Sequence, residues 1–438
     1  MVTPIRTDPH RGLGYASLHA VYDLLWIVAL VLSAPWWAWR WCTQATFRAL
    51  CRERFGVALP ARGARPRVLV HGVSVGEIKA AQSLVRELER TRPDLEVVLS
   101  TTTNTGTEVA RKTYPHLAVV RFPLDMRIFV RRFLKRVDPA CVILVELEVW
   151  PNFLREANRR GIPLAVVNGR ITERSFARYR RARTLMPAFD RVSLLLAQDE
   201  EYARRFAALS CAPERVQVSG NIKIDGLRTG RIAPKPELER LLAAPTGRLC
   251  VVAGSTHEPE EALIARAVHA VLPEARLIVV PRHPERAPVV EKAVALVWGG
   301  AQRLTRLREG ATVEPHHPAI VDTIGELESV YALADLVILG GSFVAHGGQN
   351  LLEPAAQERA VIHGPHMWNF SAETRLLERV NAAVQVQDEA GLRAALLRLA
   401  AEPALRSAMG ARGRAAVEAQ RGAAAATMRA LTELLPQA

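Results

Sequence analysis

The sequence predicts an α/β protein with two doubly wound domains, each built on a parallel sheet covered by helices. Short runs of β-branched and aliphatic residues alternate with longer helical patterns, which is typical of parallel sheets covered on both faces. A polar stretch at residues 228–246, which contains Pro234, Pro236 and Pro245, interrupts this alternation once. A length of 438 residues also exceeds what one ordinary hydrophobic core holds, and this favours two domains.

The N-terminal region, residues 1–42, is predicted to anchor the chain to a membrane. No charged residue interrupts Leu24–Trp39, a stretch close to the ~17–20 apolar residues that a spanning helix needs. Tryptophans at 36, 37, 39 and 41 precede arginines at 48, 52 and 54, the order expected at a cytoplasmic membrane interface. Pro35 ends or kinks such a helix. We therefore expect an anchor that either spans the bilayer or lies in it, with a buried core helix as the alternative.

The two domains are predicted at residues 43–227 and 247–438, with 228–246 as the linker. Strands of the first domain are expected at 67–73, 96–102, 118–122, 140–145, 163–167 and 192–197. Those of the second are expected at 249–253, 276–280, 294–298, 319–321, 336–339 and 360–363. The last segment, 403–436, reads as helical and can pack back on the first domain. Active sites in such sheets lie beyond the carboxyl ends of the strands, here in a cleft between the domains.

Charge and cysteine content narrow the class of protein. Lys and Arg number 58 against 44 Asp and Glu, a formal charge of +14 that favours anionic partners or reflects an arginine-rich composition. Five scattered cysteines without a C-x-x-C pair indicate neither a disulfide framework nor a zinc site. The histidines lack the helical spacing of metal ligands, and no Asp-x-Asp element is present to hold a cation on a diphosphate. We expect no metal and no cofactor.

Three segments of the first domain contain candidate acidic or basic residues. Glu77 falls in the first turn of the helix after 67–73, where it can act as a general base or merely complement the helix dipole. Glu146 and Glu148 follow an apolar run directly, an unusual place for carboxylates that are neither paired nor functional. In the segment 220–225, Lys223 can neutralise a phosphate and Asp225 can hold it in place, with an ordinary surface lysine as the alternative.

Four loops of the second domain suit a nucleotide. They are residues 254–258, 281–286, 323–327 and the glycine-rich 340–354, each at the carboxyl end of a predicted strand. Glycines and free amides at helix starts are the usual means of holding a phosphate or ribose. Each loop alone is weak evidence, and the four together predict a nucleotide-sugar site. Without a cation, lysine, arginine and helix amides would stabilise the leaving group.

The chain resembles the 3-deoxy-D-manno-octulosonate (Kdo) transferases over roughly residues 15–430. The resemblance is carried, in this order, by the segments H-G-V-S-V-G-E, E-L-E-V-W-P-N, G-N-I-K-I-D, V-P-R-H-P-E-R, D-T-I-G-E-L, G-G-Q-N-L-L-E-P and H-G-P-H-M-W-N-F. It implies the GT-B fold, with two Rossmann-like domains that face one cleft. It also implies metal-independent transfer of Kdo from CMP-Kdo to lipid IVA in lipopolysaccharide biosynthesis. The enzyme would sit at the cytoplasmic face of the bacterial inner membrane, on an anionic leaflet.

The resemblance also assigns roles to residues. Glu77 would be the base that deprotonates the acceptor hydroxyl, and Glu146 and Lys223 would support the transition state. An anomeric carbon between a carboxylate and CMP suits inverting displacement. The positions that match the CMP-Kdo-binding elements are Pro281, Arg282, Ile324, Gly325, Glu326, Asn350, Leu351, Leu352 and Glu353.

Some positions depart from the family pattern, and two other classes of protein stay open. Gln349 stands where histidine is frequent and Leu352 where proline is frequent, which leaves the contacts to CMP less defined. A UDP-sugar transferase or a sugar-nucleotide epimerase would share the architecture. A membrane-tethered nucleic-acid binder would explain the positive charge, but basic stretches interleaved with aromatics are missing outside the anchor, so we expect no nucleic acid.

Overall fold

The computed structural model describes residues 13–57, 63–182, 189–209 and 212–437. The chain divides into two compact units. Unit 1 comprises Met1–Gly226 and Arg421–Ala438, and unit 2 comprises Leu227–Gln420. Each unit contains one seven-stranded, all-parallel sheet.

Unit 1 is a Rossmann-like unit with strand order β3-β2-β1-β4-β5-β6-β7. Its strands are β1 (Arg67–His71), β2 (Glu96–Thr101), β3 (Ala118–Arg121), β4 (Pro139–Val145), β5 (Leu164–Gly169), β6 (Leu194–Ala197) and β7 (Val216–Val218). Its first helices are α1 (Leu13–Thr43), α2 (Ala45–Arg54), α3 (Val75–Ala80), α4 (Gln82–Thr91), α5 (Asn104–Thr113), α6 (Arg127–Val137), α7 (Pro151–Arg159), α8 (Glu173–Ala182), α9 (Glu200–Ala207) and α10 (Ile222–Asp225).

Unit 2 repeats the architecture, with strand order β10-β11-β9-β8-β12-β13-β14. Its strands are β8 (Cys250–Thr256), β9 (Arg276–Pro281), β10 (Gln302–Arg303), β11 (Ala319–Ile320), β12 (Leu336–Leu339), β13 (Ala360–His363) and β14 (Ala383–Gln385). Its helices are α11 (Pro236–Leu242), α12 (Glu260–Val271), α13 (Ala287–Trp298), α14 (Leu304–Arg308), α15 (Leu327–Tyr331), α16 (Leu352–Ala356), α17 (Ser371–Arg379), α18 (Glu389–Ala401) and α19 (Pro403–Ala419).

Alternation of side chains along each central strand builds two hydrophobic layers per sheet. In β1, Leu69 joins the layer on one face of the sheet, while Val68 and Val70 join the layer on the other. In β8, Val251 and Cys250 divide between two layers in the same way. Since both faces are covered, the middle positions of the central strands are apolar, which is why these strands can be recognised in the sequence as short apolar runs.

The last helix, α20 (Ala423–Leu431), returns to unit 1. Ala423, Met428 and Leu431 are buried in the layer that also contains residues of β1 and α4. The predicted linker, 228–246, contains α11, whose Leu238 and Leu242 are fully buried in unit 2. Pro236, which in the sequence suggests a break, is the first residue of this helix, a position where proline is well tolerated.

One strand prediction is wrong and three strands were not predicted. Residues 294–298 form the last turns of α13, because an apolar run of this length does not distinguish a strand from a buried helix. The unpredicted strands are β7, β10 and β14, short strands near or at the edges of the sheets that lack an apolar run.

The N-terminal helix α1 contains Pro35 without a break in the helix. Within it, residues 19–43 are long and apolar enough to cross a membrane. Its large apolar side chains are exposed in unit 1, with Leu32 78% and Leu25 62% exposed. The alternative of a buried core helix is therefore wrong.

Candidate active site

Glu77 lies in the first turn of α3, directly beyond the carboxyl end of β1. The Ser74 hydroxyl donates to Glu77 Oε1 at 2.8 Å, and the Val73 amide donates to Oε2 at 2.6 Å. Ser74 also caps α3 by accepting from the Glu77 amide at 3.3 Å. The sequence S-x-x-E at a helix start favours this reciprocal arrangement. Glu77 is therefore held in one orientation by the helix start.

The surroundings of Glu77 raise its pKa. Partial burial is the largest cause, and the negative charge of Glu146 adds to it, whereas the Val73 amide, the Ser74 hydroxyl and Lys223 act in the opposite direction. A carboxylate with a raised pKa is a better proton acceptor near neutral pH. The helix-start role and the role of a base are thus compatible in this residue.

Glu146 follows β4 in a left-handed backbone conformation, with φ +66°. Such a conformation is costly for a residue with a side chain and is found where surrounding contacts impose it. Here the Glu146 amide donates to the Val167 carbonyl at 2.9 Å, and Glu146 Oε1 lies 2.5 Å from Lys223 Nζ. Glu146 acts electrostatically on Glu77, so the three predicted catalytic residues form one cluster at the carboxyl edge of the sheet.

Lys223 belongs to the short helix α10, which several side chains fix in place. Asn168, at φ +55° near the end of β5, accepts from the Ile222 amide at 3.1 Å. The Asn221 side chain accepts from the Lys223 amide at 3.1 Å, and the Ser83 hydroxyl donates to the Ile222 carbonyl at 2.9 Å. The backbone of Lys223 is thereby pinned to β5 and α4.

Asp225 was predicted to support the site of Lys223, but its carboxylate contacts the C-terminal helix instead. Its carboxylate accepts from the amides of Gly422 at 2.8 Å and Ala424 at 2.6 Å, at the start of α20. Free helix-start amides attract a carboxylate in this way. Asp225 therefore links α10 to the C-terminal helix, and its carboxylate oxygens are used in that link.

Glu148 is a fourth ionisable group of the cluster. Its pKa is raised to about 8, mainly by burial and next by the charge of Glu77, with a smaller rise from Glu146. The Trp150 indole donates to Glu148 Oε2 at 3.1 Å and opposes the rise. At neutral pH Glu148 is thus largely protonated and can donate a hydrogen bond. The sequence singled out its position after an apolar run but did not assign it a role.

In unit 2 the four predicted loops follow β8, β9, β11 and β12, which are adjacent in the sheet, and so they meet at one edge. The ring of His257 stacks on that of His346 at 4.2 Å between centroids and meets His283 edge-on at 5.9 Å. Gln349 Nε2 lies 3.1 Å from His257 Nε2. Gln349, the departure from the family pattern, therefore contacts a histidine of the neighbouring loop.

Glu260 holds the glycine-rich loop and was missed by the sequence analysis. Glu260 is 1% exposed, and its carboxylate accepts from the amides of His257 (2.7 Å), Gly341 (2.5 Å) and Phe343 (3.3 Å). Burial raises the pKa of Glu260 to about 7, and these amides oppose the rise. The segment H-E-P-E-E around it resembles an ordinary helix start, so only the fold reveals this contact.

The predicted CMP-Kdo-binding residues lie on this edge in three groups. Pro281 ends β9, and Arg282 beyond it is exposed while its amide donates to the Thr256 carbonyl at 2.9 Å. Ile324 is 88% exposed, next to Gly325 at φ +88°. Leu351 and Leu352 are buried, so their side chains serve the core of unit 2, and only the backbone of these two residues can meet a ligand.

The two predicted carboxylates of unit 2 already have partners. Glu326 forms ion pairs with Lys235 at 2.6 Å and Arg308 at 2.9 Å. Burial raises the pKa of Glu326, but the two cations lower it by more, so the net pKa is lowered. Glu353 accepts from the Asn350 amide group at 3.0 Å, while Asn350 Oδ1 accepts from the Leu352 amide at 3.1 Å. Both arrangements order loops beside a helix start.

Comparisons with known proteins point to one family. Residues 50–226 match the family model of the 3-deoxy-D-manno-octulosonic-acid transferases, or kdotransferases. The 3-deoxy-D-manno-octulosonic acid transferases of Haemophilus influenzae and Bordetella pertussis are each 34% identical to the chain. The first alignment covers 78% of this chain and 81% of that protein, and the second covers 97% and 99%.

Solved structures support the fold class. A glycosyltransferase from Rickettsia africae superposes with a TM-score of 0.59 at 10% identity, covering 86% of this chain and all of that one. A putative UDP-N-acetylglucosamine 2-epimerase from Listeria monocytogenes gives 0.57 at 12% identity, with 81% and 94% covered. Together with the two parallel sheets, these likenesses confirm the GT-B fold. The identity and coverage of the Haemophilus and Bordetella enzymes carry the further conclusion that the chain belongs to the Kdo transferase family of glycosyltransferases.

Proposed function

We propose that this Kdo transferase moves Kdo from CMP-Kdo to lipid IVA, the lipid A precursor, with inversion at the anomeric carbon. The observation that carries the proposal is the cluster of Glu77, Glu146 and Lys223 at the carboxyl edge of unit 1. It combines an oriented carboxylate of raised pKa with a lysine held 2.5 Å from a second carboxylate. Such a set can accept a proton and steady a developing charge in one place.

Glu77 takes the proton of an acceptor glucosamine hydroxyl in this proposal. The hydroxyl oxygen then forms a bond to the anomeric carbon of Kdo, and the bond from that carbon to the phosphate oxygen of CMP breaks. The electron pair of the broken bond stays with CMP. Glu146 and Lys223 support the transition state, with Lys223 as the cation and Glu146 as the residue that orients it.

Unit 2 supplies the donor site. Arg282, exposed beyond β9, offers a cation to the CMP phosphate, and the backbone amides around Gly325 and Asn350 offer hydrogen-bond donors. Clusters of three or more His, Cys, Asp or Glu side chains suited to a metal ion are absent from the described ranges of the chain. We propose that cationic side chains and amides stabilise the departing CMP without a metal.

The acceptor is a lipid, and α1 supplies the matching contact with a membrane. We propose that α1 anchors the enzyme to the cytoplasmic face of the inner membrane, whose leaflet is anionic. The excess of 58 Lys and Arg over 44 Asp and Glu favours such a surface. Aromatic residues followed by arginines at the end of α1 agree with the cytoplasmic side.

The test is incubation of the detergent-solubilised protein with tetraacyl lipid A precursor and CMP-Kdo, without added metal, followed by mass spectrometry. We expect product masses raised by one or more Kdo units, and their number gives the count of successive transfers. Competition by CMP against UDP distinguishes this donor from that of a UDP-sugar enzyme. No mass increase with an active CMP-Kdo supply, or competition by UDP alone, would contradict the proposed donor and acceptor.

A further inference from the structure

The N-terminal part of α1 is hydrogen-bonded to unit 1. Tyr22 donates its hydroxyl proton to Asp125 Oδ2 at 3.0 Å, and the Asn152 side chain donates to Asp23 Oδ1 at 2.7 Å. Asp125 also accepts from the amides of Asn152 (3.1 Å) and Phe153 (2.8 Å) at the start of α7. This part of α1 is therefore held against the loops that follow β3 and β4.

The C-terminal part of α1 is held against the same unit by aromatic rings. The ring of Trp37 lies 5.2 Å from that of Phe47 and 6.3 Å from that of Phe55. Phe55 stacks in turn on Phe129 of α6, at 4.5 Å between centroids. Since Asp125 lies just before α6 and Phe129 lies in its first turn, both parts of α1 are fastened around the same helix start.

Two contacts so far apart on one helix fix its direction relative to unit 1. From Tyr22 to Trp37 the helix rises ~22 Å, at about 1.5 Å per residue. The hydrocarbon core of a bilayer is ~30 Å thick. A helix that crossed the bilayer would carry its two parts to different depths, and one folded unit outside the lipid could not hold both. The contacts at Tyr22 and Trp37 therefore require the axis of α1 to run along the surface of unit 1.

The outer face of α1 is apolar along the same length. Six of its exposed apolar side chains recur every three or four residues and form one stripe: Val21, Leu24, Leu25, Val28, Leu32 and Trp39. The other exposed large apolar side chains of α1, which widen this apolar surface beyond the stripe, are Ile27, Val31, Trp36 and Trp41. The less exposed positions, among them Tyr22, Trp26 and Trp37, recur with the same spacing on the other face. Because one face is bound to the protein, the apolar outer face is free to be buried at the boundary between headgroups and acyl chains.

Positive charge accompanies this stripe. Helices α2 and α6, which contact α1 directly or through Phe55, carry exposed basic side chains at Arg52, Arg131, Arg132 and Lys135. Basic residues beside an apolar face attract a surface of anionic headgroups. The combination of apolar stripe and basic helices fits an anionic lipid bilayer.

We propose that α1 lies in the plane of the membrane, with the Val21–Trp39 stripe immersed and the opposite face bound to unit 1. The proposal rests on the lipid acceptor of the proposed function, and it adds the place where the enzyme binds that lipid. Asn152 follows the Glu146–Trp150 loop, so α1 is fastened to the edge of the sheet that carries Glu77. That edge then faces the bilayer surface, and the glucosamine headgroup reaches Glu77 without leaving the interface.

The test measures the depth of three positions in the full-length enzyme bound to vesicles of phosphatidylethanolamine and phosphatidylglycerol. Leu25→Cys, Leu32→Cys and Trp39→Cys, which share one face at two-turn spacing, are each labelled with a nitroxide in a Cys42→Ser, Cys211→Ser background. The immersion depth of each nitroxide follows from comparing how strongly its spin relaxation is enhanced by molecular oxygen and by a water-soluble nickel chelate. Leu296→Cys, on the exposed surface of unit 2, is the control that stays in water.

We expect the three labels in α1 to share one shallow depth, about 5–10 Å below the headgroups. Depths that change by ~10 Å from Leu25 to Leu32 and again to Trp39 would overturn the proposal in favour of a spanning helix. Labels that stay in water, or an enzyme that does not bind the vesicles, would contradict the proposal that α1 binds a membrane. None of these readings depends on catalysis, so Kdo transfer to the acceptor in detergent tests the proposed function separately.

Discussion

The ammonium group of Lys223 lies 2.5 Å from Oε1 of Glu146, although the strands that precede them, β7 and β4, are separated in the sheet by β5 and β6. The lysine side chain is 37% exposed and the glutamate side chain 20%. A partly exposed pair of this kind contributes little to stability. Its electrostatic effect on Glu77 is the basis for the proposed role of the pair in the reaction.

Replacing Lys223 by methionine is expected to lower the rate of Kdo transfer by about 10²–10³-fold, the usual cost of removing one group that stabilises a transition state. The affinity for CMP should be unchanged, because the predicted CMP-binding residues belong to unit 2. Lys112→Met, an exposed lysine of α5, is the matched control. Steady-state kinetics and CMP titration check both expectations, and an equal loss of CMP affinity would contradict the assignment.

Replacing Glu77 by glutamine is expected to reduce transfer by about 10²–10⁴-fold, because the amide cannot accept the hydroxyl proton. The glutamine carbonyl can still accept from Val73 or Ser74, so the start of α3 should survive. Glu87 of α4 forms an ion pair with the exposed Arg90, and Glu87→Gln is the control, which should keep full activity. Thermal unfolding and CMP binding complete the measurement: a large loss in either would mean that Glu77 has only a structural role.

The raised pKa of Glu148 predicts that the free energy of unfolding depends on pH. Its pKa in the folded chain is about 8, above the ordinary value of 4.5, so the folded state binds the proton more tightly than the unfolded state. The resulting stabilisation is complete below pH 4.5 and is lost as the pH rises through 8. Glu148→Gln removes this titration, so the variant should gain stability relative to the natural chain between about pH 5 and 9.

Chemical denaturation of both proteins across that pH range measures the effect. Glu108→Gln, in α5, serves as the control for the loss of one carboxylate. A difference between Glu148→Gln and the natural chain that stays constant over the whole range would show that Glu148 does not titrate there. The rate of Kdo transfer by the natural chain should change with pH near pH 8, and this change should be missing in Glu148→Gln.

Local sequence was sufficient for some of these features and insufficient for others. The S-x-x-E pattern at Ser74–Glu77 places the glutamate at a helix start, because capping depends on neighbours in the chain. The meeting of Glu146 with Lys223 depends on the order of strands, which no local pattern contains. Asp225 illustrates the same limit, since its partners Gly422 and Ala424 come from the far end of the sequence.

The buried layers were predictable for the same physical reason that they are stable. Strands covered on both faces need mostly apolar residues, and β4 and β12 consist of such residues throughout, while β1 and β8 have polar residues only at their ends. The short edge strands β7 and β14 have exposed positions, and so their composition does not distinguish them from loops. Residues 294–298 were apolar enough for a strand, but they continue the helix that begins at Ala287.

Asp225→Ala should destabilise unit 1, because two amides at the start of α20 lose their acceptor. Loss of a helix-start cap costs about 0.5–2 kcal/mol. Asp225→Asn keeps one acceptor oxygen and should lose less. Denaturant unfolding ranks the three proteins, and the order natural chain, Asn, Ala is expected; equal stability of all three would contradict the link between α10 and α20.

Transfer should persist in excess EDTA. Among the residues that the structure describes, none form a group of three or more side chains able to hold a metal ion, and Lys223 and Arg282 offer positive charge instead. The assay compares initial rates with EDTA, with EDTA plus magnesium, and with no addition. Activity that disappears in EDTA and returns only with the divalent cation would contradict a metal-free mechanism.

The return of the chain to unit 1 at α20 has a consequence for biosynthesis. Ala423, Met428 and Leu431 fill the layer beside α4, yet a ribosome makes them only after all of Leu227–Gln420. At about 5–20 residues per second, this interval lasts on the order of 10–40 s. During that time unit 1 exposes an apolar groove along α4, next to a nascent chain already bearing the apolar stripe of α1. Chaperone occupancy of stalled nascent chains should therefore fall sharply once α20 has emerged from the ribosome.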